Sequence, residues 1–199
     1  MKLFAFFLYI VSFGVLAEAS FPADPPNIYR STDQGENWTP FAEGLPEGAS
    51  AGAMLEHEGR LLLGTDFNGF YVLSAGAQCW ESRNIGLPVK ININSVAAKG
   101  DIIVIGTYHG RVYTSRDAGR HWQSFVLGFL GGSVRALYFY GDILIARTDN
   151  RLYRSFDHGS SWQKMADLVY VNSIHELACT LSAARHYLSA SSVVLRSTR

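Results

Sequence analysis

The sequence predicts an all-β fold: a β-propeller of four-stranded antiparallel blades, with about four to five repeats forming an incomplete or open ring. Three observations predict it. The pattern Ser-x-Asp-x-Gly-x-x-Trp occurs at Ser31/Asp33/Gly35/Trp38, Ser115/Asp117/Gly119/Trp122 and Ser155/Asp157/Gly159/Trp162, and a decayed copy keeps only Trp80. These tryptophans are separated by 42, 42 and 40 residues, and Tyr29, Tyr71, Tyr113 and Tyr153 each precede one of them by nine. A period of this size marks stacked supersecondary units. Finally, no stretch shows sustained helical periodicity, whereas short apolar runs such as Ile102–Ile105 are bounded by turn residues.

Taken in chain order, residues 1–19 read as a signal peptide. Lys2 precedes an apolar run from Leu3 to Leu16, and Ala17-Glu18-Ala19 has the small-x-small form of a cleavage site before Ser20. The run is shorter than the ~20 apolar residues that span a bilayer, so the mature chain is expected to be secreted or periplasmic, without stable membrane insertion after cleavage. Residues 20–27 form a proline-containing lead-in, and residues 28–199 carry the repeats. Asn27 to Ser31 reads as a third strand, so the first unit supplies only strands three and four.

The full pattern of one unit is clearest from Ser95 onward. A strand to Lys99 is followed by a Gly100-Asp101 turn, a second strand to Gly106, a loop with Gly110, a third strand Arg111 to Ser115, the motif, and a fourth strand opening on Trp122. Leu61–Leu63 with Tyr71, and Ile143–Ile145 with Tyr153, repeat the order. Near the end, Leu195-Arg196-Ser197-Thr198 echoes Tyr29-Arg30-Ser31-Thr32, so both partial units claim the third-strand slot. The expectation is an arc whose ends self-associate or stay unstable without further blades.

The motif has a structural logic. A carboxylate such as Asp117 accepts backbone N–H bonds within its own loop, Gly119 supplies a positive φ, and Trp122 buries a large apolar surface between sheets. Trp38, Trp122 and Trp162 are accordingly expected in the core. The motif resembles the Asp-box, or bacterial neuraminidase repeat, of sialidases, xyloglucanases, sortilin-type receptors and photosystem II assembly-factor-like propellers, and the resemblance extends over residues 28–199. It implies the propeller fold and says little about catalysis. The Arg-Ile-Pro segment of the sialidases does not occur here.

Composition narrows the function. Lys+Arg equals Asp+Glu at 17 each, which gives no electrostatic footprint for nucleic acid. The six histidines and two cysteines show no metal-ligand spacing, and no cofactor fingerprint is present. Cys79 and Cys179 are expected as free, buried thiols.

Ligand chemistry is expected at the end of the blades opposite the motif loops, at Asp66, Asn68, Tyr108, His109, Asp149 and Asn150. The inter-blade segments Glu43 to Glu47, Gly86 to Lys90 and Gly128 to Gly132 are expected to share that end. This mix of aromatic, amide and carboxylate suits a glycan or protein ligand. The expected function is an exported, noncatalytic binding or assembly module. The alternative is a fragment of a glycoside hydrolase of the xyloglucanase or sialidase type, with Asp66 and Asp149 as its carboxylate pair.

Overall fold

The computed structural model describes residues 28–127, 132–149 and 151–167. Every regular element among them is a strand. The chain opens on a two-stranded ribbon, β1 (Tyr29–Arg30) and β2 (Thr39–Pro40). Three four-stranded sheets follow: β3 (Ser50–His57) to β6 (Glu81–Ser82), β7 (Ile93–Lys99) to β10 (Gln123–Val126), and β11 (Val134–Tyr140) to β14 (Gln163–Asp167). The inner pairs are β4 (Arg60–Asp66) with β5 (Phe70–Leu73), β8 (Ile102–Thr107) with β9 (Arg111–Ser115), and β12 (Ile143–Thr148) with β13 (Arg151–Ser155). In each sheet the strands neighbour one another in chain order and run antiparallel, which is the arrangement of a propeller blade. No pairing among the described residues joins β1 and β2 to the last sheet, so these elements form an open ring.

The three first strands share one irregularity. Each carries a β-bulge near its start, between Ala51 and Ala53, Ile93 and Ser95, and Val134 and Ala136. A bulge bends its strand and increases the twist, here at the same place in every blade.

The core lies between sheets. Leu62, Phe70 and Val72 of one sheet are buried against Ile93, Ile103, Ile105, Tyr113 and Trp122 of the next. Val104 and Val112 in turn pack with Val134, Leu137 and Leu144. The leading ribbon joins the first full sheet through Ile28 and Phe41, which pack with Tyr71, Leu73 and Trp80. The sheets approach closely because Gly64 and Gly106 lack side chains: a Cβ there would lie 2.3 Å from Ile93 Cγ2 and 2.4 Å from Val134 Cγ1.

The tryptophans depart from the expected uniform burial. Trp80 and Trp122 are 3% and 5% exposed, Trp162 is half-buried, and Trp38 is 38% exposed. The two buried indoles each donate from Nε1 to the preceding unit, at Phe41 O (2.9 Å) and Arg83 O (2.9 Å). Those of Trp38 and Trp162 donate within their own loops, to Gly35 O and Gly159 O, both at 3.0 Å. Burial of the ring therefore follows contact with the unit before it rather than completeness of the motif. Cys79 is a free thiol as expected, but it is exposed rather than buried, where the decayed loop leaves the sheet.

No helix among the described residues is long and apolar enough to cross a membrane. The readings for residues 1–27, Gly128 to Gly131, Asn150, Cys179 and Ser192 to Thr198 lie outside the described residues.

Candidate functional site

At one end of the blades the three motif loops are built alike. Ser31, Ser115 and Ser155 each donate from Oγ to the aspartate two residues on, at 2.8, 2.8 and 2.7 Å. The same hydroxyls accept the N–H of Gly35, Gly119 and Gly159 at 2.8, 2.8 and 2.7 Å. The aspartate Oδ1 then accepts the backbone N–H of Asn37, His121 or Ser161, the residue before each tryptophan. Its Oδ2 is held by that residue's side chain at 2.6 Å in all three loops.

This closing contact was not visible in the sequence, where Asn37, His121 and Ser161 occupy a variable position of the motif. Two consecutive residues adopt left-handed backbone, Ala118 (φ 58) and Gly119 (φ 87) in the second loop, so the turn strains an alanine as well as using a glycine. The hydrogen bonds from Asn37, backbone first and then side chain, hold the Asp33 carboxyl at about 2. For Asp157 burial raises the pKa, but the donors of Ser161 and Ser155 outweigh it and bring it to about 2. In Asp117 burial is likewise overcome, by His121, and the carboxyl stays well below its usual range. These carboxylates are committed to their own turns.

Because the strands alternate in direction, the β4–β5, β8–β9 and β12–β13 turns lie at the opposite end, together with the segments that enter β7 and β11. Each turn is tied by a threonine: Thr65, Thr107 and Thr148 donate from Oγ1 to Gly69 O (2.7 Å), Arg111 O (3.0 Å) and Arg151 O (3.2 Å). Asp66, Tyr108 and Asp149 each follow one of these threonines and so occupy equivalent positions. The entering segments clasp the turns. Phe67 N donates to Ile91 O (2.9 Å), Tyr108 N to Asn92 O (3.2 Å), and Asp66 forms a bridge with Asn92.

The sequence-derived site residues thus meet at one end but do not converge on one point. Half-buried Asp66 lies inward, where a Cβ on Gly52 would be 3.1 Å from its Oδ1. Asn68 is half-buried beside Thr65. Tyr108 is 53% exposed and packs edge-on against exposed His109, with centroids 5.4 Å apart. Asp149 is occupied: Arg135 Nε donates to its Oδ1 at 2.6 Å and Ser133 N to its Oδ2 at 2.8 Å. Arg135, helped by Ser133, lowers its pKa.

Phe67 lies in the same expected loop, between Asp66 and Asn68, but was not among the ligand candidates. Its ring is 60% exposed and its φ is 69°, a conformation a bulky side chain rarely takes. No pattern in the sequence marks such a backbone, because the preceding Thr-Asp reads as an ordinary turn.

The inter-blade segments run differently from expectation. β2 and β6 have two residues each, so the chain leaves the sheet early and stays along the outer edge. There Trp80 N donates to Glu43 O (2.8 Å) and Trp122 N to Ile85 O (3.0 Å). Gly44 and Gly86 accordingly sit against the backbone of the following tryptophan, and only the later residues, Ile91 and Asn92, reach the turn end. Among the described residues no three His, Cys, Asp or Glu side chains gather as a metal-binding group.

The family model of the BNR/Asp-box repeat matches residues 29–40, the first motif with its flanking strands. That match marks one Asp-box repeat in the chain. No curated protein matches it in sequence. Among solved structures it is similar to YCF48 bound to D1 peptide, with a TM-score of 0.54 and 25% identity over 61% of this chain and 42% of that one. It also resembles the GH74 xyloglucanase from Xanthomonas campestris (TM-score 0.55, 18% identity, 72% of this chain and 27% of that). A third neighbour is the extracellular domain of a hybrid two-component system from B. thetaiotaomicron (TM-score 0.56, 20% identity, 73% and 20%). The chain spans less than half the length of each of these proteins. The two less similar neighbours speak to the propeller fold alone.

Proposed function

We propose that this Asp-box chain is an exported, noncatalytic binding module that takes a segment of another protein at the end opposite its motif loops. The observation that carries this reading is Phe67, a large aromatic ring held 60% exposed on left-handed backbone. Strain of that kind persists only where surrounding structure imposes it, and it concentrates at binding and active sites. Tyr108, at the same end on the next sheet, adds a second exposed ring with a hydroxyl, and aromatic anchors of this type dominate protein recognition. The peptide bound to the similar YCF48 supports a protein ligand in preference to a glycan. The leader at residues 1–19 supports export.

Selection of a random peptide library on the mature chain, with a glycan array in parallel, tests the reading. The expected outcome is peptide binding that falls by roughly 5- to 30-fold in Tyr108→Ala, the usual weight of an interface anchor. Phe67→Gly is expected to weaken binding while leaving the fold intact. Peptides that bind the double variant as tightly as the parent, or a chain that selects only glycans, would overturn it.

A further inference from the structure

We infer that the turn end takes a basic side chain of the bound segment, an arginine, beside Gly52, where the Asp66 carboxylate and two neutral oxygens lack the donors that their counterparts have. The inference rests on the proposed binding of a protein segment at that end and names the chemistry of one of its anchors. Each first strand has one residue left over at its bulge: Gly52, Asn94 and Arg135. The three positions are equivalent, but the side chains on them close different contacts.

In the third sheet the bulge residue closes its own turn. Arg135 Nε donates to Asp149 Oδ1 at 2.6 Å. In the second sheet it closes the contact to the sheet that follows. Asn94 Nδ2 donates to Ser133 Oγ at 2.6 Å, and Ser95 Oγ, one residue on, donates to Val134 O at 3.2 Å. In the first full sheet Gly52-Ala53 stands at these two positions and has no side-chain donor to offer. The Asp66 carboxylate, counterpart of Asp149, accordingly receives no hydrogen bond or ion pair among the described residues. Asn92, counterpart of Ser133, keeps its Oδ1 buried without a partner. Ile93 O, counterpart of Val134 O, lacks the serine hydroxyl.

These oxygens border one place. A Cβ built on Gly52 would lie 3.1 Å from Asp66 Oδ1 and 2.3 Å from Ile93 O. The bond from Asn94 to Ser133 shows that a donor at the bulge position reaches the side chain equivalent to Asn92. The close approach of Ile93 O bars a side chain from growing out of residue 52, whereas exposed Gly52 leaves the oxygens open to a group arriving from solvent. That group must bring a positive charge and several donors, because a buried acceptor without a donor is destabilising. A guanidinium carries both in one planar fork, and the Arg135–Asp149 pair supplies the same chemistry from within the chain. Phe67 follows Asp66 with its ring 60% exposed, offering a face on which a guanidinium stacks. A calcium ion fits less well, since it takes about six to eight oxygens, more than border this place.

Titration of the isotope-labelled mature chain with acetyl-arginine methylamide, followed by amide NMR signals, tests the place without a peptide. The citrulline analogue has nearly the same shape and no charge. The signals of Gly52, Asp66 and Phe67 are expected to shift with the arginine compound, to respond several-fold less to citrulline, and to lose the response in Asp66→Asn. Equal response to both compounds, response to neither, or response to calcium chloride in place of arginine overturns the inference. In the peptide selection, arginine is expected to be enriched on the parent chain, and the enriched peptides are expected to bind Asp66→Asn roughly 10-fold more weakly. Selected peptides without basic residues, or peptides that bind the variant equally well, overturn the inference and leave the proposed binding standing. A selection that yields no peptide overturns the proposed binding, and the arginine titration still judges the acceptor site.

Discussion

A tryptophan in this chain is worth what the unit before it makes of it. Trp80 sits in a loop that has lost its serine and aspartate, yet it is 3% exposed; Trp38 sits in a complete motif and is 38% exposed. Trp122→Ala is therefore expected to cost about 3–5 kcal/mol, since it removes a buried ring that packs edge-on against Phe70 at 5.0 Å, and Trp38→Ala well under half as much. Denaturant unfolding of the two variants side by side checks the order. The motif aspartates act through pH instead. Asp157 is held at about 2 against an ordinary value near 3.8, so the stability it supplies is fully present above about pH 4 and is lost as pH falls through about 2. Asp157→Asn should thus flatten the decline in stability between about pH 4 and 2, and an unchanged acid limb in equilibrium unfolding would refute the assignment. Asp33, whose bonds to Asn37 lie exposed to solvent and are screened by it, should contribute less to that slope. At this scale the serine, aspartate and glycine positions were legible because their geometry admits few residue types. The closing donor was not, because Asn37, His121 and Ser161 share only a polar hydrogen at one position.

Between strands, the decisive contacts are absences of side chains. A Cβ on Gly106 would lie 2.4 Å from Val134 Cγ1 and 2.5 Å from Ser95 Oγ, with little room for either neighbour to move inside a sheet interface. Gly106→Ala is accordingly expected to destabilise by about 1–3 kcal/mol through overpacking, and Val134→Ala to recover part of that loss in the double variant. A double-mutant cycle with no coupling would show that the recess does not set the spacing of the sheets. The strands themselves could be read from apolar runs and glycine turns. Their outer limits could not: two-residue strands such as β2 and β6 leave no alternating pattern, so the following segments were expected at the turn end, which only their later residues reach. The Thr148 tie was hidden for a related reason, since a shorter β12–β13 turn shifts the third repeat against the other two and sets Arg147, rather than a glycine, before the threonine.

At the scale of the whole molecule, the sheets stack in chain order and each is bonded mainly to its neighbours, so groups on the first and third sheets are separated by an entire blade. This arrangement favours the proposed binding role over hydrolysis. A glycosidase needs two carboxyl groups roughly 5–9.5 Å apart across one bond, one of them protonated at working pH. Asp66 stands on the first full sheet and Asp149 at the edge of the third. Asp149 is also the wrong kind of acid, because Arg135 and Ser133 N hold it ionised by direct hydrogen bonds to both oxygens. Protonating it would forfeit the Arg135 contact, the opposite of the environment that raises a general acid toward neutral pH. The mature chain is therefore expected to show no turnover of aryl-glycosides, sialosides or xyloglucan above a buffer blank. Arg135→Ala should free the Asp149 carboxylate without creating activity. Turnover by the parent chain that vanishes in Asp66→Asn or Asp149→Asn would reverse the assignment and make the aromatic rings of Phe67 and Tyr108 part of a sugar-binding cleft.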